Sequence, residues 1–253
     1  MDEIPYQMIS NLRPDAATDW RLQVRLTRMW RNMNRNAETV SVNFIFVDAL
    51  GGRIHAWMPP QHFQQLENNF LEVETYVVRR FVVRRYLPMQ NGRCFENDIY
   101  IQLNHMTEVF VIGGVDYIPP HVFQFTDFDA IVDAARQNQY LIDVVGILQA
   151  VGPITPFRNK YNVQENSIQF TITDMHTSTK VIFYNEMAQS FDQAVRDAVR
   201  HPIIVIISSC KAKFMPDEPK LTDSAPTRFF INENHEAVED LRNALRLADY
   251  FHN

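Results

Sequence analysis

Apolar and polar residues alternate along several stretches of this chain, and an alternation with a period of two predicts β-strands. From Trp20 onward, apolar residues occupy every second position through Leu22, Val24 and Leu26. Arginine and glutamine occupy the positions between them, so one face of the strand is apolar and the other is polar. We expect a half-buried strand that reaches Trp30.

A predicted hairpin follows at residues 44–58, which read FIFVDALGGRIHAWM. An apolar strand ends at a Gly-Gly turn, and in the second strand Arg53, His55 and Trp57 share one face. An outward tryptophan needs a cover, and either a neighbouring loop or a stacked base serves as one. A similar strand–Asp–turn–strand pattern returns at residues 168–184, IQFTITDMHTSTKVIFY, so we predict a duplicated chain.

The order of elements predicts the fold class. In the first half we predict strands at 20–30, 39–47, 53–58, 73–87 and 98–103, with a helix at 61–70. In the second half we predict strands at 141–148, 168–173, 180–184, 202–214 and 227–232, with a helix at 186–199. Three strands, a helix and two strands are the order of an OB-fold, a five-stranded Greek-key barrel. The prediction is therefore an all-β protein with helices, built from two tandem OB-fold barrels.

Segments outside the two barrels complete the predicted organisation. Residues 1–112 form the first domain, 113–139 a connector with a short helix near 128–136, and 140–253 the second domain. An apolar stripe through Val238, Leu241 and Leu245 predicts a C-terminal helix. The helix either docks on the second barrel or joins a partner's helices.

The charge of the chain is unevenly distributed. Residues 1–110 carry 12 arginines, no lysine and 12 acidic residues, whereas residues 111–253 carry 12 basic and 18 acidic residues, which gives the net charge of −6. Ten of the arginines fall into two clusters without acidic residues, at positions 20–37 and 75–95. Local patches decide phosphate binding more than net charge does, so the total excludes no partner.

The sequence lacks the motifs that are typical of several functional classes. The chain shows no phosphate-binding glycine loop, no catalytic motif and no paired cysteines at metal-ligand spacing, so we expect no catalytic residue, no metal and no cofactor. The two cysteines are far apart, which favours a reducing compartment. No leader and no long apolar run is present, so we expect no membrane partner. Asp48 and Asp174 are predicted to be turn residues.

An OB-fold usually binds its ligand across strands two and three, between the loop joining strands one and two and the loop joining strands four and five. In the first barrel this region includes Trp57 and both arginine clusters, and its candidate binding residues are Arg28, Arg31, Arg35, Arg53, His55, Trp57, Arg84, Arg85 and Arg93. In the second barrel the candidates are Arg158, Lys160, Lys180, Tyr184, Lys211, Lys213 and Phe214. Arginines bind phosphates and aromatic rings stack on bases, although solvated strand faces also carry arginines.

The ordered set of segments DWRLQVRLTRMW (19–30), VDALGGRIHAWMP (47–59), ENDIYIQL (96–103), TKVIFYNE (179–186) and RFFINEN (228–234) resembles the large subunit of replication protein A, in its plant-type group. The resemblance covers about 90% of the chain. It implies the family's central pair of DNA-binding domains, in the nucleus. We expect no counterpart of the family's zinc-bearing domain or of its regulatory N-terminal domain among these residues.

The resemblance also implies roles for individual residues. The basic position on strand three matches His55, or Arg53 after a shift of two residues, and the stacking aromatic nearby matches Trp57. The aromatic of the loop joining strands four and five falls near Phe95. In the second domain the stacking positions match Tyr184 and Phe214. A basic residue expected on strand four falls at Cys210, which is a departure from the family.

These observations favour a non-enzymatic protein that binds single-stranded DNA by backbone electrostatics and base stacking, in replication, repair or recombination. Single-stranded RNA uses the same chemistry and stays open as a partner. The alternative is a diverged interaction scaffold that holds a protein partner in its grooves or on its C-terminal helix.

Overall fold

The computed structural model describes residues 5–14, 16, 19–63, 70–113 and 115–252. Its contacts divide the chain into two compact units. Unit 1 comprises Met1–Gln90 and Glu96–Val122, and unit 2 comprises Asn91–Phe95 and Phe123–Asn253. The domain limits at 112 and 140 stay a prediction. Within the described residues, no helix is both long and apolar enough to cross a bilayer.

Unit 1 is built mainly from β-strands. After a 3-10 turn at Ile9–Asn11, its elements are β1 (Arg21–Met33), β2 (Thr39–Val47), β3 (Arg53–Met58), α1 (Pro60–Phe63), β4 (Thr75–Arg79), β5 (Val82–Arg85), β6 (Ile99–Gln102) and β7 (Glu108–Val111). The first strand ends three residues later than predicted. Most of the predicted helix at 61–70 lies outside the described residues, because positions 64–69 are not described.

The sheet of unit 1 closes into a barrel through a bend in its fourth strand. We predicted one strand at 73–87, and the structure divides this stretch into β4 and β5 at Arg80-Phe81, where Arg80 has a φ of 60°. The first half, β4, pairs with β1, whereas β5 pairs with β6. In turn, β6 runs parallel to β3, and β3 pairs with β2. The ring is complete, as an OB-fold requires.

Unit 2 repeats this arrangement. A 3-10 turn (Phe128–Ala130) and α2 (Ile131–Gln137) precede β8 (Ile142–Val151), β9 (Thr155–Arg158), β10 (Gln164–Thr173), β11 (Ser178–Tyr184), α3 (Asn185–Asp197), β12 (Ile204–Phe214), β13 (Pro219–Thr222), β14 (Arg228–Ile231) and α4 (Glu236–His252). The bend now lies within β12, at Ser209 with a φ of 55°. β12 pairs with β8 near its start and with β13 near its end.

The assignment of residues 227–232 as the fifth strand of the second barrel is wrong, although a strand does form there. The strand that closes the ring is β13, which runs parallel to β11, whereas β14 pairs with the first half of β12. The equivalent of β14 in unit 1 is β7, which likewise pairs with the first half of the bent strand. β13 is too short and too polar to be recognised from its pattern, since only Leu221 enters the core cluster. The predicted OB-fold class is nonetheless confirmed in both units.

The cores follow the predicted alternation. Ile54, Ala56 and Met58 of β3 are fully buried, and they pack with apolar residues of β1, β2 and β4. In unit 2, α4 docks on its own barrel through Val238, which packs against Ile204 of β12. Of the two predicted positions for the C-terminal helix, the structure therefore shows docking on the second barrel.

Asp48 holds the hairpin turn between β2 and β3. One carboxylate oxygen accepts hydrogen bonds from the backbone N–H groups of Leu50 and Gly52, at 3.0 and 2.8 Å. The other oxygen accepts one from Ile9 at 2.7 Å, so the N-terminal segment is fixed to the same side chain. Asp174 makes the analogous turn contacts with the backbone N–H groups that follow it. Both predicted turn roles are confirmed.

We predict that Asp48→Ala destabilises the protein more than Asp174→Ala does. Asp48 is buried, and its removal leaves the buried backbone N–H of Ile9 unsatisfied, at a cost of about 1–3 kcal/mol, and also removes the two bonds to the turn. Urea unfolding followed by circular dichroism measures the difference. Equal unfolding midpoints for the two variants would contradict this account of the turn.

Candidate functional site

The outward side of β3 in unit 1 carries a connected group of aromatic rings. The strand alternates as predicted, and Arg53, His55 and Trp57 point away from the core. His55 stacks on Trp30 of β1 with a centroid distance of 5.7 Å and on Tyr86 at 6.2 Å. Tyr100 of β6 lies 4.9 Å from Tyr86, again measured between ring centroids. We call Trp30, Asn43, His55, Trp57, Tyr86 and Tyr100 the aromatic face.

Hydrogen bonds fix His55 at the centre of this face. Its Nδ1 lies 2.6 Å from the Tyr86 hydroxyl and its Nε2 lies 3.1 Å from Oδ1 of Asn43. The amide oxygen only accepts, so Nε2–H donates to Asn43 and the Tyr86 hydroxyl donates to Nδ1. Burial lowers the pKa of His55 to about 4. A neutral imidazole with both nitrogens bonded orders its aromatic neighbours and offers no charge to a phosphate at neutral pH.

Exposed arginines border the aromatic face on one side. Arg84 of β5 is the register partner of Tyr100, and its Nε donates to Oε1 of Gln102 at 3.3 Å. Arg85 follows it, and both side chains are exposed. Gln102 is in turn the register partner of Trp57, so β6 lies between β3 and the arginine-bearing β5. Arg84 therefore lies on the same side of the sheet as Tyr100, whereas Arg85, the register partner of Ile99, alternates to the other side.

Of the other predicted arginines of the first barrel, Arg53 shares the outward side of β3 with His55, and three others take different positions. Arg28 is buried, and Arg31 lies over the ring of Phe63 at 5.5 Å, on the other side of β1 from Trp30. Arg35 is exposed in the turn between β1 and β2. Arg53 is half-buried, and its Nη1 donates to the carbonyl of Val122 at 3.2 Å.

Arg93 and Phe95 require a correction. Both were predicted to lie in a binding loop of the first barrel, but both are buried and belong to unit 2. The backbone N–H of Arg93 donates to Gln139, and its carbonyl accepts from Leu141. Their position between two predicted strands suggested an exposed loop. The backbone pairing of Arg93 and the burial of Phe95 instead fix this segment inside unit 2.

In unit 2 the equivalent face is rich in lysine. Lys213 of β12, Lys220 of β13 and Lys180 of β11 are register partners across three adjacent strands. Lys211 lies two residues before Lys213, on the same side of β12. We call these four residues the lysine face. Lys220 was not predicted as a site residue, because the hydrophobic pattern did not reveal the short strand β13 on which it lies.

Aromatic residues flank the lysine face. Tyr184 at the end of β11 lies 5.7 Å from Phe157 of β9, measured between ring centroids. The β9–β10 hairpin that holds Phe157 also carries Arg158 and Lys160, both exposed at its tip. Phe214, at the end of β12, is 42% exposed. The structure thus gathers most of the predicted residues of the second barrel at one face and one adjoining hairpin.

Asp223 is a carboxylate at the edge of this face. Its Oδ1 accepts a hydrogen bond from the backbone N–H of Tyr184 at 2.9 Å. Burial raises the pKa of Asp223 to about 6, although that hydrogen bond and the charge of Lys213 act in the opposite direction. The pKa of Lys213 is lowered by burial and by the neighbouring charge of Lys211. Two groups of altered pKa therefore meet beside Tyr184.

The chain that carries these two faces is similar to several known proteins. A family model described as Domain of unknown function DUF223 matches residues 10–134. The chain is 27% identical, over 75% of its length, to a replication protein A 70 kDa DNA-binding subunit of Arabidopsis thaliana, and it covers 32% of that protein. It is 25% identical, over 92% of its length, to a protein of the same description from Oryza sativa subsp. japonica, and it covers 36% of that protein.

The predicted resemblance to the replication protein A large subunit is confirmed. The solved structure of a replication protein A heterotrimer bound to ssDNA aligns with 94% of this chain and 54% of that one, with a TM-score of 0.60 and 17% identity. That alignment establishes the fold. The chain spans about a third of the length of the two plant relatives.

The replication protein A resemblance led us to expect a basic residue at His55 or Arg53, and the structure changes how each is understood. His55 is neutral at its altered pKa, and Arg53 is engaged with a backbone carbonyl. The positive charge beside the aromatic face comes instead from Arg84, the register partner of Tyr100. Three other aromatic rings of this face were not predicted as site residues, namely Trp30, Tyr86 and Tyr100. Each lies in a strand or loop that was predicted to be near the site.

We predict that the ring of His55 titrates near pH 4 rather than near 6.5. The pH dependence of its Cε1–H chemical shift, assigned by comparison with His55→Gln, measures this pKa by NMR. A depressed pKa means that the unfolded state binds the proton more tightly, so the stability of the wild type falls as the pH drops from 6.5 towards 4. The glutamine variant should lack that component. A titration midpoint near 6.5 would contradict the buried, doubly bonded ring.

Proposed function

We propose that this protein binds single-stranded DNA across the aromatic face of unit 1 and the lysine face of unit 2. The observation that carries the proposal is the arrangement in unit 1, where stacked rings lie beside the exposed side chain of Arg84, and Arg85 is exposed at the next position of the same strand. Aromatic planes bind the faces of unpaired bases, and adjacent guanidinium groups bind the phosphates between them.

A small number of stacked bases is enough to give measurable affinity. Each base stacked on an aromatic side chain contributes roughly 1–3 kcal/mol, so two or three stacked bases per unit account for useful affinity. The phosphate contacts add a salt-dependent contribution that does not depend on sequence. Binding should therefore tolerate different base sequences. Duplex DNA should bind more weakly, because its base faces are already stacked.

The comparisons support this proposal. The plant relatives are named DNA-binding subunits, and the structural neighbour of the same fold was solved with ssDNA. We propose by extension that the chain acts in DNA replication, repair or recombination in the nucleus, as a binding protein rather than an enzyme. Single-stranded RNA offers the same unpaired bases and phosphates, so a binding experiment must separate it from DNA.

We predict that the protein binds a fluorescent oligonucleotide of ~20 nucleotides, a length that spans one or two OB-fold sites. Fluorescence anisotropy at low and moderate salt measures the affinity. Trp57→Ala combined with Tyr184→Ala should weaken binding at both salt concentrations, because two stacking surfaces are removed. Arg84→Ala combined with Arg85→Ala should weaken binding. The slope of the logarithm of the binding constant against the logarithm of the salt concentration should become less negative by about 0.7 for each phosphate contact that the variant no longer makes.

The matched control removes the same charge from helices. Arg196→Ala combined with Arg246→Ala alters exposed residues of α3 and α4, and it should leave the affinity close to that of the wild type. Parallel titrations use duplex DNA and single-stranded RNA of the same sequence. Absence of binding to single-stranded DNA at about 50 mM salt, where phosphate contacts are strong, would exclude the proposal. The grooves would then be candidates for binding a protein partner.

We predict that binding tightens as the pH falls from about 7.5 to about 5.5, through protonation of Asp223. Its raised pKa of about 6 places this change inside the tested range, and protonation removes a negative charge beside Tyr184 and Lys213. Asp223→Asn keeps an acceptor for the Tyr184 N–H, so at the higher pH it should bind as the wild type does at the lower pH. A pH dependence of equal size in the variant would assign the effect to other groups.

A further inference from the structure

The lysine face already holds an acidic side chain. Glu218 lies in the turn between β12 and β13, and its Oε1 is 2.8 Å from Nζ of Lys180 and 3.2 Å from Nζ of Lys220. One carboxylate oxygen therefore joins two lysines of adjacent strands. Hydrogen bonds from Lys180 and then Lys220 lower the pKa of Glu218, so the carboxylate is charged at neutral pH.

The geometry of this contact resembles that of a bound phosphate. An anionic oxygen between two ammonium groups is the position that a backbone phosphate would take on the same face. The side chains of Glu218 and Lys180 are 48% and 43% exposed, so water and salt screen their attraction. Exposed ion pairs of this kind contribute little to stability, and a competing anion can replace one partner at small cost.

Positive charge on the face exceeds what Glu218 neutralises. Lys213 is the register partner of Lys220, and Lys211 lies on the same side of β12. Burial and the charge of Lys211 lower the pKa of Lys213, and the charge of Asp223 at the edge of the face acts in the opposite direction. A polyanion that approaches the face thus reaches four lysines but must displace one carboxylate.

We propose that Glu218 is an internal competitor of the DNA backbone, whose carboxylate leaves Lys180 and Lys220 when a strand binds to unit 2. The proposal rests on the proposed function and adds a regulator to it. The affinity of the lysine face for a strand is then lower than its four lysines alone would give, because the Glu218 carboxylate must first be displaced.

The test compares Glu218→Gln with Asp217→Asn. Both variants remove one negative charge from the same turn, but the ion pairs with Lys180 and Lys220 are made by Glu218. Anisotropy titrations with the ~20-nucleotide strand are made in the wild type and in the Trp57→Ala background, where unit 1 contributes less. We expect Glu218→Gln to tighten binding about threefold or more. The slope of the logarithm of the binding constant against the logarithm of the salt concentration should become more negative by about 0.7 for each lysine that is no longer paired with Glu218. Asp217→Asn should change the affinity by less than about twofold.

A double-mutant cycle separates competition from a structural effect. Lys180→Gln should weaken binding more in the Glu218→Gln protein than in the protein that retains Glu218, because only the former exposes the ammonium group. Equal affinity of Glu218→Gln and the wild type, or an equal gain from Asp217→Asn, would overturn this inference while DNA binding by the wild type still supports the proposed function. Absence of binding by every protein in the series would contradict both.

Discussion

The fourth strand of each barrel pairs with two different neighbours along its length, and the closed sheet depends on this double pairing. In unit 1 the strand bends at Arg80, and in unit 2 it bends at Ser209, each with a positive φ. L-residues adopt that conformation at a cost of about 1 kcal/mol, so the bend persists only because hydrogen bonds on both sides determine it. The bend directs the second half towards the fifth strand, which lies parallel to the third. A closed ring leaves no barrel edge along strands two and three.

Closure also determines which side chains can bind a ligand. Alternate residues of the third strand must fill the barrel, as Ile54 and Val181 do, so the residues between them form a continuous outer row. The two units use this row differently. Unit 1 places the neutral, hydrogen-bonded His55 and the ring of Trp57 there, and its exposed arginines lie on β5, beyond β6. Unit 2 places a lysine in the row itself and balances it, with a second lysine of the next strand, against Glu218. One scaffold thus presents a stacking surface and an electrostatic surface.

Local periodicity was enough to predict part of the fold and of the site. The inward and outward residues of β1 and β3, the Asp48 turn and the helix α3 after the third strand of unit 2 follow from spacing alone. Contacts distant in sequence could not be predicted in this way. Nothing local indicates that Tyr86 and Asn43 bond the two nitrogens of His55, or that residues 91–95 pack in unit 2. The short β13 was missed because one buried leucine in four residues gives no period, and with it Lys220 and the site of Glu218 were missed.

The central claim is that a DNA strand lies against the outer rows of β3 and β11, and photochemical cross-linking tests it most directly. An oligonucleotide with 5-iododeoxyuridine at successive positions is irradiated in complex with the protein, and the attached peptides are identified by mass spectrometry. Cross-links should form at Trp57, Tyr100 and Trp30 in unit 1 and at Tyr184 or Phe157 in unit 2, since aromatic rings in contact with a base react most readily. Cross-links confined to α3, α4 or the β7 edge would show that the strand binds elsewhere and would contradict the account.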